Sequence, residues 1–319
     1  EGLRTKLLTL WQMTIVAALV ITLHDNSGHQ QFNTTVVLLI MQLYITYLWW
    51  SVGLYDKAHR KLNKPYTIIY LIAFVFICST LFVSQAYSRT LLYISLLLNC
   101  MPPFVSHFIL KRNTSALTLT SSMTERLGLF TIIVFGEVVL GVINGIIAMH
   151  NLNATIWFEF VLAISIVFAL WWLFFTIISD RKCKNGLLYS SLLELLFIPT
   201  LIGLDLLGAS FTDIFLNFKE HSRLTIEHTG YLGYSVSIFL LGIWAMMYLL
   251  KYPEVYLGFK KIVKRAIILT VTIITIFACL PLQMNLVYYL LVILLILLSL
   301  IFYLNNFWYR MVTKKNYNT

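Results

Sequence analysis

Apolar stretches of about twenty residues follow one another along the whole chain, separated by short polar segments. A run of that length spans the hydrocarbon core of a bilayer as an α-helix. The pattern predicts ten such helices, near Leu7–Leu23, Thr35–Tyr55, Thr67–Tyr87, Thr90–Leu110, Leu127–Met149, Trp157–Ile178, Leu187–Ser210, Tyr231–Leu250, Ala266–Leu282 and Leu286–Leu304. The expected fold is an all-α polytopic membrane bundle.

The polar segments alternate in charge. Arg4 and Lys6, then Lys57, Arg60, Lys61 and Lys64, then Lys111 and Arg112 make three basic segments. Arg181, Lys182 and Lys184, then Lys260, Lys261, Lys264 and Arg265, then Arg310, Lys314 and Lys315 make three more. The segments between them, His24–Thr34, Ser88–Arg89, His150–Ile156 and Gln283–Asn285, hold one arginine in all. The stretch after Ser210 is mixed, with Lys219 and Arg223 against Asp213, Glu220 and Glu227. With ten spans all the basic segments fall on one side, which predicts that both ends of this chain face the cytoplasm. The expected location is the bacterial inner, cytoplasmic, membrane.

Composition agrees. The chain is 60% hydrophobic and 11% charged, where a soluble domain carries about 25% charged residues. Mean hydropathy is +0.84. The net charge of +10 does not point to nucleic acid, because no basic stripe or nucleic-acid-binding motif accompanies it. Cys78, Cys100, Cys183 and Cys279 form no CxxC and no His/Cys cluster. Three sit in apolar helices and one in a basic loop, so free thiols are expected and neither a disulfide framework nor a metal site. No nucleotide-binding, zinc-protease, hydrolase-elbow or kinase motif occurs. No cofactor is implied, and any chemistry is expected inside the membrane.

A parallel repeat is expected as well. Trp49-Trp50 precede a basic loop and two helices joined at Ser88-Arg89; Trp244 precedes a basic loop and two helices joined at Gln283-Met284-Asn285. If the unit is six helices, residues 1–110 are the remaining four helices of the first copy and residues 111–319 are the second. Two N-terminal helices would then be absent, and the complete bundle would have twelve. Transporter folds often carry repeats, with sites at the repeat interface.

Between Leu127 and Met149 the only ionisable side chain is Glu137. A carboxyl at that depth is costly and marks a functional site by default. The structural alternative is a neutral acid bonded to a neighbouring helix. Asn144 is seven residues on and shares its face. Gly136 precedes the acid, and Gly141 with Gly145 forms a GxxxG that lets helices approach closely. Glu194 and Asp205, eleven residues apart around Pro199, make a second candidate pair; a snorkelling Glu194 is the bland alternative. Glu125 and Arg126 open the Glu137 helix, where an acid suits the helix dipole. Asn99, Pro102, Pro103 and His107 interrupt the fourth helix, the proline pair predicting a kink. Trp49-Trp50 and Trp171-Trp172 read as parts of an interfacial aromatic belt.

The run Glu125-Arg126-Leu-Gly128-Leu129-Phe130-Thr131-Ile132-Ile133-Val-Phe-Gly136-Glu137 resembles the E-R-x-G-L-F-T-I-I-x-x-G-E motif of the bacterial low temperature requirement protein A family, LtrA. Trp171-Trp172-Leu173 is similar to that family's W-W-L-Y-F-D, with Phe174 in place of its tyrosine and Thr176 in place of its acid. Tyr189, Leu192 and Leu193 lie where the family reads Y-x-Y-L-H-x-P; the histidine is missing and Glu194 stands beside its place. Family members usually begin with an E-L-F-F-D-L-V-F helix and one further span, so the resemblance implies an N-terminally incomplete or divergent member. It implies a membrane location and marks Glu125, Arg126 and Glu137 as a motif, and it supplies no substrate.

The expected function is a secondary transporter or ion-coupled carrier rather than an enzyme. Its partners would be the lipid bilayer and a small solute, proton or cation. Glu137, Asn144, Glu194 and Asp205 would bind the substrate or ion, and Arg126 with Glu125 would gate it. The alternatives are a membrane-embedded lipid-handling protein or enzyme supporting cold growth, and a structural or sensory bundle.

Overall fold

A computed structural model describes residues 2–24, 29–55, 60–109, 121–149, 153–179, 181–221, 226–252, 257–280 and 284–316. Among them are eleven α-helices and no strand. Eight of the helices are long and apolar enough to cross a membrane. Two short apolar helices, Tyr87–Asn99 and Pro102–Ile109, are bent by 47° at the break between them and make a ninth span if they cross as one, and Asn63–Ser79 is a shorter apolar helix. The chain is an all-α polytopic membrane protein.

The helices fall into two compact units, Glu1–Ala116 and Leu117–Thr319. The boundary expected at residues 110 and 111 lies outside the described residues, as do Lys57, Lys111, Arg112, His150, Arg223 and Gln283.

The first unit holds α1 (Leu3–Leu23), α2 (Gln30–Tyr55), α3 (Arg60–Ser79), α4 (Gln85–Asn99) and α5 (Pro102–Ile109). Helix α2 packs on α1 and α3, and α3 on α4 and α5. The expected turn at Ser88-Arg89 is corrected here: both residues lie inside α4, and the chain turns between Thr80 and Ser84. Two interactions explain the earlier stop. The Thr80 hydroxyl and amide both close back on the Ile77 carbonyl, at 2.6 and 3.1 Å. Extended backbone at Ser84 then restarts the chain as the N-cap of α4. The fourth segment is broken as the proline pair predicts, and Cys100, expected within a helix, is the C-cap at that break.

The second unit holds α6 (Ser121–Ile147), α7 (Ala154–Ile177), α8 (Leu187–His221), α9 (Ile226–Leu249), α10 (Leu257–Cys279) and α11 (Leu286–Asn316). Helix α8 packs on α6 and α9, α10 on α9 and α11, and α7 on α11 and α6. Helix α8 runs past the expected end at Ser210 and carries Asp213 within it. One large apolar core fills this unit, with Val138, Ile166, Leu204, Phe211, Phe239 and Ile293 among its buried members.

Candidate functional site

Glycine sets the geometry at the contact of α6 with α8. A methyl group on Gly141 would collide with the backbone of Gly208, 2.8 Å from its carbonyl carbon and 2.9 Å from its Cα. One on Gly208 would stand 3.0 Å from Cα of Val138 and 3.6 Å from the carbonyl oxygen of Glu137. One on Gly145 would meet Phe215 at 2.7 Å. Backbones approach this closely only where side chains are absent, which is how helices associate in lipid. The Thr212 hydroxyl crosses the gap and donates to the Gly141 carbonyl at 2.9 Å. The contact partners rise together along both helices, so α6 and α8 run parallel.

This contact fixes where two of the acids stand. Glu137 lies one turn before Gly141, and Asp205 one turn before Gly208, so both are at one depth. On a helical projection Glu137 is displaced from the contact line of α6 by about 70° in one sense, and Asp205 from that of α8 by about 70° in the other. For two parallel helices facing each other, opposite displacements point to the same rim of the seam. Asn144 and Thr212 are displaced to that side too. Glu137, Asn144 and Asp205 are all exposed, turned away from the apolar core of this unit, and Thr212 is half-buried. One rim therefore offers two carboxyls, an amide and a hydroxyl at mid-helix, all groups that hold a proton or coordinate a hard cation.

The remaining motif residues sit elsewhere. Glu125 and Arg126 are exposed in the first turns of α6, three turns before Glu137. Gly136 is open, with nothing within 4 Å of a would-be Cβ, so it does not take part in the packing.

Glu194 is half-buried on α8 near its start and does not join the rim. It lies close enough to Cys183 to act on its thiol electrostatically. Burial is the main cause that pushes that thiol up, and Glu194 adds to it, while Ser190, Lys184 and Lys251 pull the other way. Around Cys183 the chain forms a small clasp. Lys184 N–H donates to Leu249 O at 2.8 Å, and Lys251 N–H to Lys182 O at 2.9 Å. The end of α7 is capped from the same place, because both Arg181 and the Tyr252 hydroxyl donate to Ile177 O, at 2.9 and 3.1 Å. Burial pushes the Tyr252 phenol up to about 12, against the opposing pull of Arg181.

One acid has no counterpart in the sequence reasoning. Glu159, in the second turn of α7, is fully buried, and neither carboxyl oxygen has a hydrogen-bond partner among the described residues. The signal was available: Glu159 is the only ionisable residue between Asn153 and Ile178, the same property that singled out Glu137.

The first unit has a polar lane of its own. Gln31 donates to Ser88 at 3.1 Å and Gln42 to Asn99 at 3.1 Å, both across 57 residues. The constant offset shows α2 and α4 in one parallel register. Asn99 returns a bond to Gln42 at 3.0 Å, making a reciprocal amide pair. Gln42 also donates to Tyr70 O at 3.0 Å, and Ser95 to Ala73 O at 3.3 Å. Below the amide pair Trp49 stacks on Tyr66, ring centroids 4.0 Å apart. The lane ends at Asn63 and Ser106, both buried, with Asn63 Nδ2, Ser106 Oγ and His107 Nδ1 lacking partners among the described residues. Asn99, Pro102, Pro103 and His107 were legible candidates; Gln42, Gln31 and Ser106 were not singled out.

A family model described as bacterial low temperature requirement A protein (LtrA) matches residues 1–303. No curated protein and no solved structure matches the chain. With nearly its whole length matched, the chain belongs to the LtrA family.

Proposed function

We propose that this LtrA-family membrane protein is a secondary transporter or ion-coupled carrier of the cytoplasmic membrane, with its chain ends on the cytoplasmic side. Glu137 and Asp205 form the ion or proton site, and Asn144 and Thr212, each about two turns further along its helix, offer neutral oxygen atoms on the path leading from it. The observation that carries this reading is the shared depth and shared rim of the two carboxyls at a glycine-tight helix crossing. Neither acid is taken up by the apolar core, although each is expensive to keep within a membrane. The broken span α4–α5 supports the same reading, since interrupted helices in transporters free backbone groups where they line a path. Glu194 serves as a further acid nearer the basic end, and Arg126 with Glu125 gates the approach.

Thiol labelling tests this directly. Glu137→Cys is built in a chain lacking Cys78, Cys100, Cys183 and Cys279 and treated with a membrane-impermeant maleimide from each side. Labelling is expected. In proteoliposomes Glu137→Gln and Asp205→Asn are each expected to lower proton-coupled flux at least tenfold, with unchanged thermal unfolding. A folded protein that labels from neither side has no aqueous route to Glu137, and the transport reading falls.

A further inference from the structure

The chemistry at the basic end of α9 and α10 differs from that of the acid rim. Antiparallel packing of these helices is fixed by Gly233 against Ala278 and by a 3.1 Å hydrogen bond between Ser237 and Thr275. The same register brings Lys264 over the ring of Tyr248, its Nζ 2.8 Å from the centroid. Tyr248 in turn meets Trp244 edge to face at 4.9 Å. Outside this aromatic pair is a surface groove of about 560 Å³, lined at one end by Lys264, Arg265 and Tyr248 and further along by Trp244, Leu269 and Ile273. Arg265, Leu269 and Ile273 are exposed.

The groove is graded. Two cations stand about two turns into α10, and the floor becomes apolar as α10 runs on. From Lys264 to Ile273 is nine residues, about 13 Å of helix. Lys264 is held by the Tyr248 face, whereas Arg265 is exposed and suited to present its guanidinium fork to a phosphate. Lys261, exposed one turn earlier, adds to the positive field. A free phosphate would use the cations and leave the apolar floor in water. A phospholipid uses both.

We propose that this groove is a binding site for one anionic phospholipid of the leaflet at the basic end of the bundle. Its phosphate lies between Lys264 and Arg265, its glycerol region against Trp244, and an acyl chain along Leu269 and Ile273. Basic pockets beside transmembrane helices on the cytoplasmic side are suited to such lipids, whose headgroups concentrate negative charge there.

The test is native mass spectrometry of the full chain in detergent, titrated with phosphatidylglycerol or phosphatidylcholine. Wild type is expected to hold one phosphatidylglycerol at least fivefold more tightly than phosphatidylcholine. Lys264→Gln/Arg265→Gln is expected to abolish that preference, while Arg4→Gln, in the other unit, keeps it. Thr272→Trp blocks the apolar part of the groove without changing charge and is expected to weaken phosphatidylglycerol binding at least fivefold. Thermal unfolding in lipid-free detergent confirms that each variant is folded. Equal retention of the two lipids by wild type overturns the proposal, as does a preference that survives in the double variant. Displacement of the lipid by millimolar inorganic phosphate would also overturn it, by reducing the site to a phosphate site.

Discussion

The two units hold their helices together by different means. In the first, polar side chains reach across the helix seams: Tyr44 to the Leu8 carbonyl, Gln31 to Ser88, Gln42 to Asn99 and Tyr70, Ser95 to Ala73. Its most buried glycine contact is loose, Gly53 meeting Asn63 only at 3.4 Å. In the second, Gly141, Gly145, Gly203, Gly208, Gly233 and Gly242 all press against a neighbouring helix. Lipid offers no hydrophobic drive for helices to associate, so close packing of small residues and interhelical hydrogen bonds are the two devices left. The consequence for function follows. In the first unit Gln31, Gln42, Ser95 and Asn99 are spent on bonds across the seams; in the second, where glycine holds the seam, Glu137 and Asp205 face outward.

The sharpest way to break this contrast is to fill the glycine seam. Gly141→Leu is expected to destabilise the second unit by about 3 kcal/mol, because the new side chain meets backbone that cannot move aside. Gly136→Leu, five residues earlier on the same helix, meets open space and is expected to cost under about 0.5 kcal/mol. Reversible unfolding in mixed micelles measures both. Equal effects would mean that the α6–α8 seam is not glycine-limited.

A smaller effect is expected in the first unit. Gln42→Leu strands Asn99 Oδ1 and removes the second bond to the Tyr70 carbonyl, at a cost of about 1–2 kcal/mol. In Gln42→Leu/Asn99→Leu no amide is left without its partner, and part of the loss returns. The coupling read from the double-mutant cycle is expected near 1 kcal/mol, the usual scale for such bonds in membranes. Strict additivity would show that the amide pair contributes nothing to this unit.

Much of the fold was legible in the chain. Of the ten expected spans eight are long apolar helices, the third is a shorter one and the fourth is a bent pair; the all-α bundle was legible because hydropathy over twenty residues integrates many side chains and tolerates local error. The Pro102-Pro103 break was legible for a backbone reason. The turn after Ser79 was missed, since it depends on a Thr80 hydroxyl bond that no periodicity records. Glu137, Asn144 and Asp205 were legible as rare polar residues, but their common rim depends on a register between α6 and α8 that only the Gly141–Gly208 contact fixes. Gln42 was hidden for the same reason: its partner is 57 residues away. Glu159 was visible and passed over, because an acid two turns into a helix looks like part of the helix entrance.

Glu159 supplies the last and smallest test. Its carboxyl is buried in the unit that turns Glu137 and Asp205 outward, and among the described residues no hydrogen bond offsets the desolvation. A residue kept only for stability would not be of this kind, since a buried polar group without a partner costs free energy that an apolar side chain of similar volume does not. Glu159→Leu is therefore expected to stabilise the protein, by about 1 kcal/mol, and Glu159→Gln by less, because the amide retains polar atoms to bury. Unfolding of the three proteins side by side decides the order. If Glu159→Leu is the most stable and transports normally, the carboxyl is a tolerated burden. If it is the most stable and transport fails, Glu159 is a working acid that the protein keeps at the expense of its own core, and the second unit carries an inward acid site besides the outward pair. If Glu159→Leu is less stable than wild type, the carboxyl has a partner during folding or function, and the contrast between a polar-bonded first unit and a glycine-packed second unit no longer holds at α7.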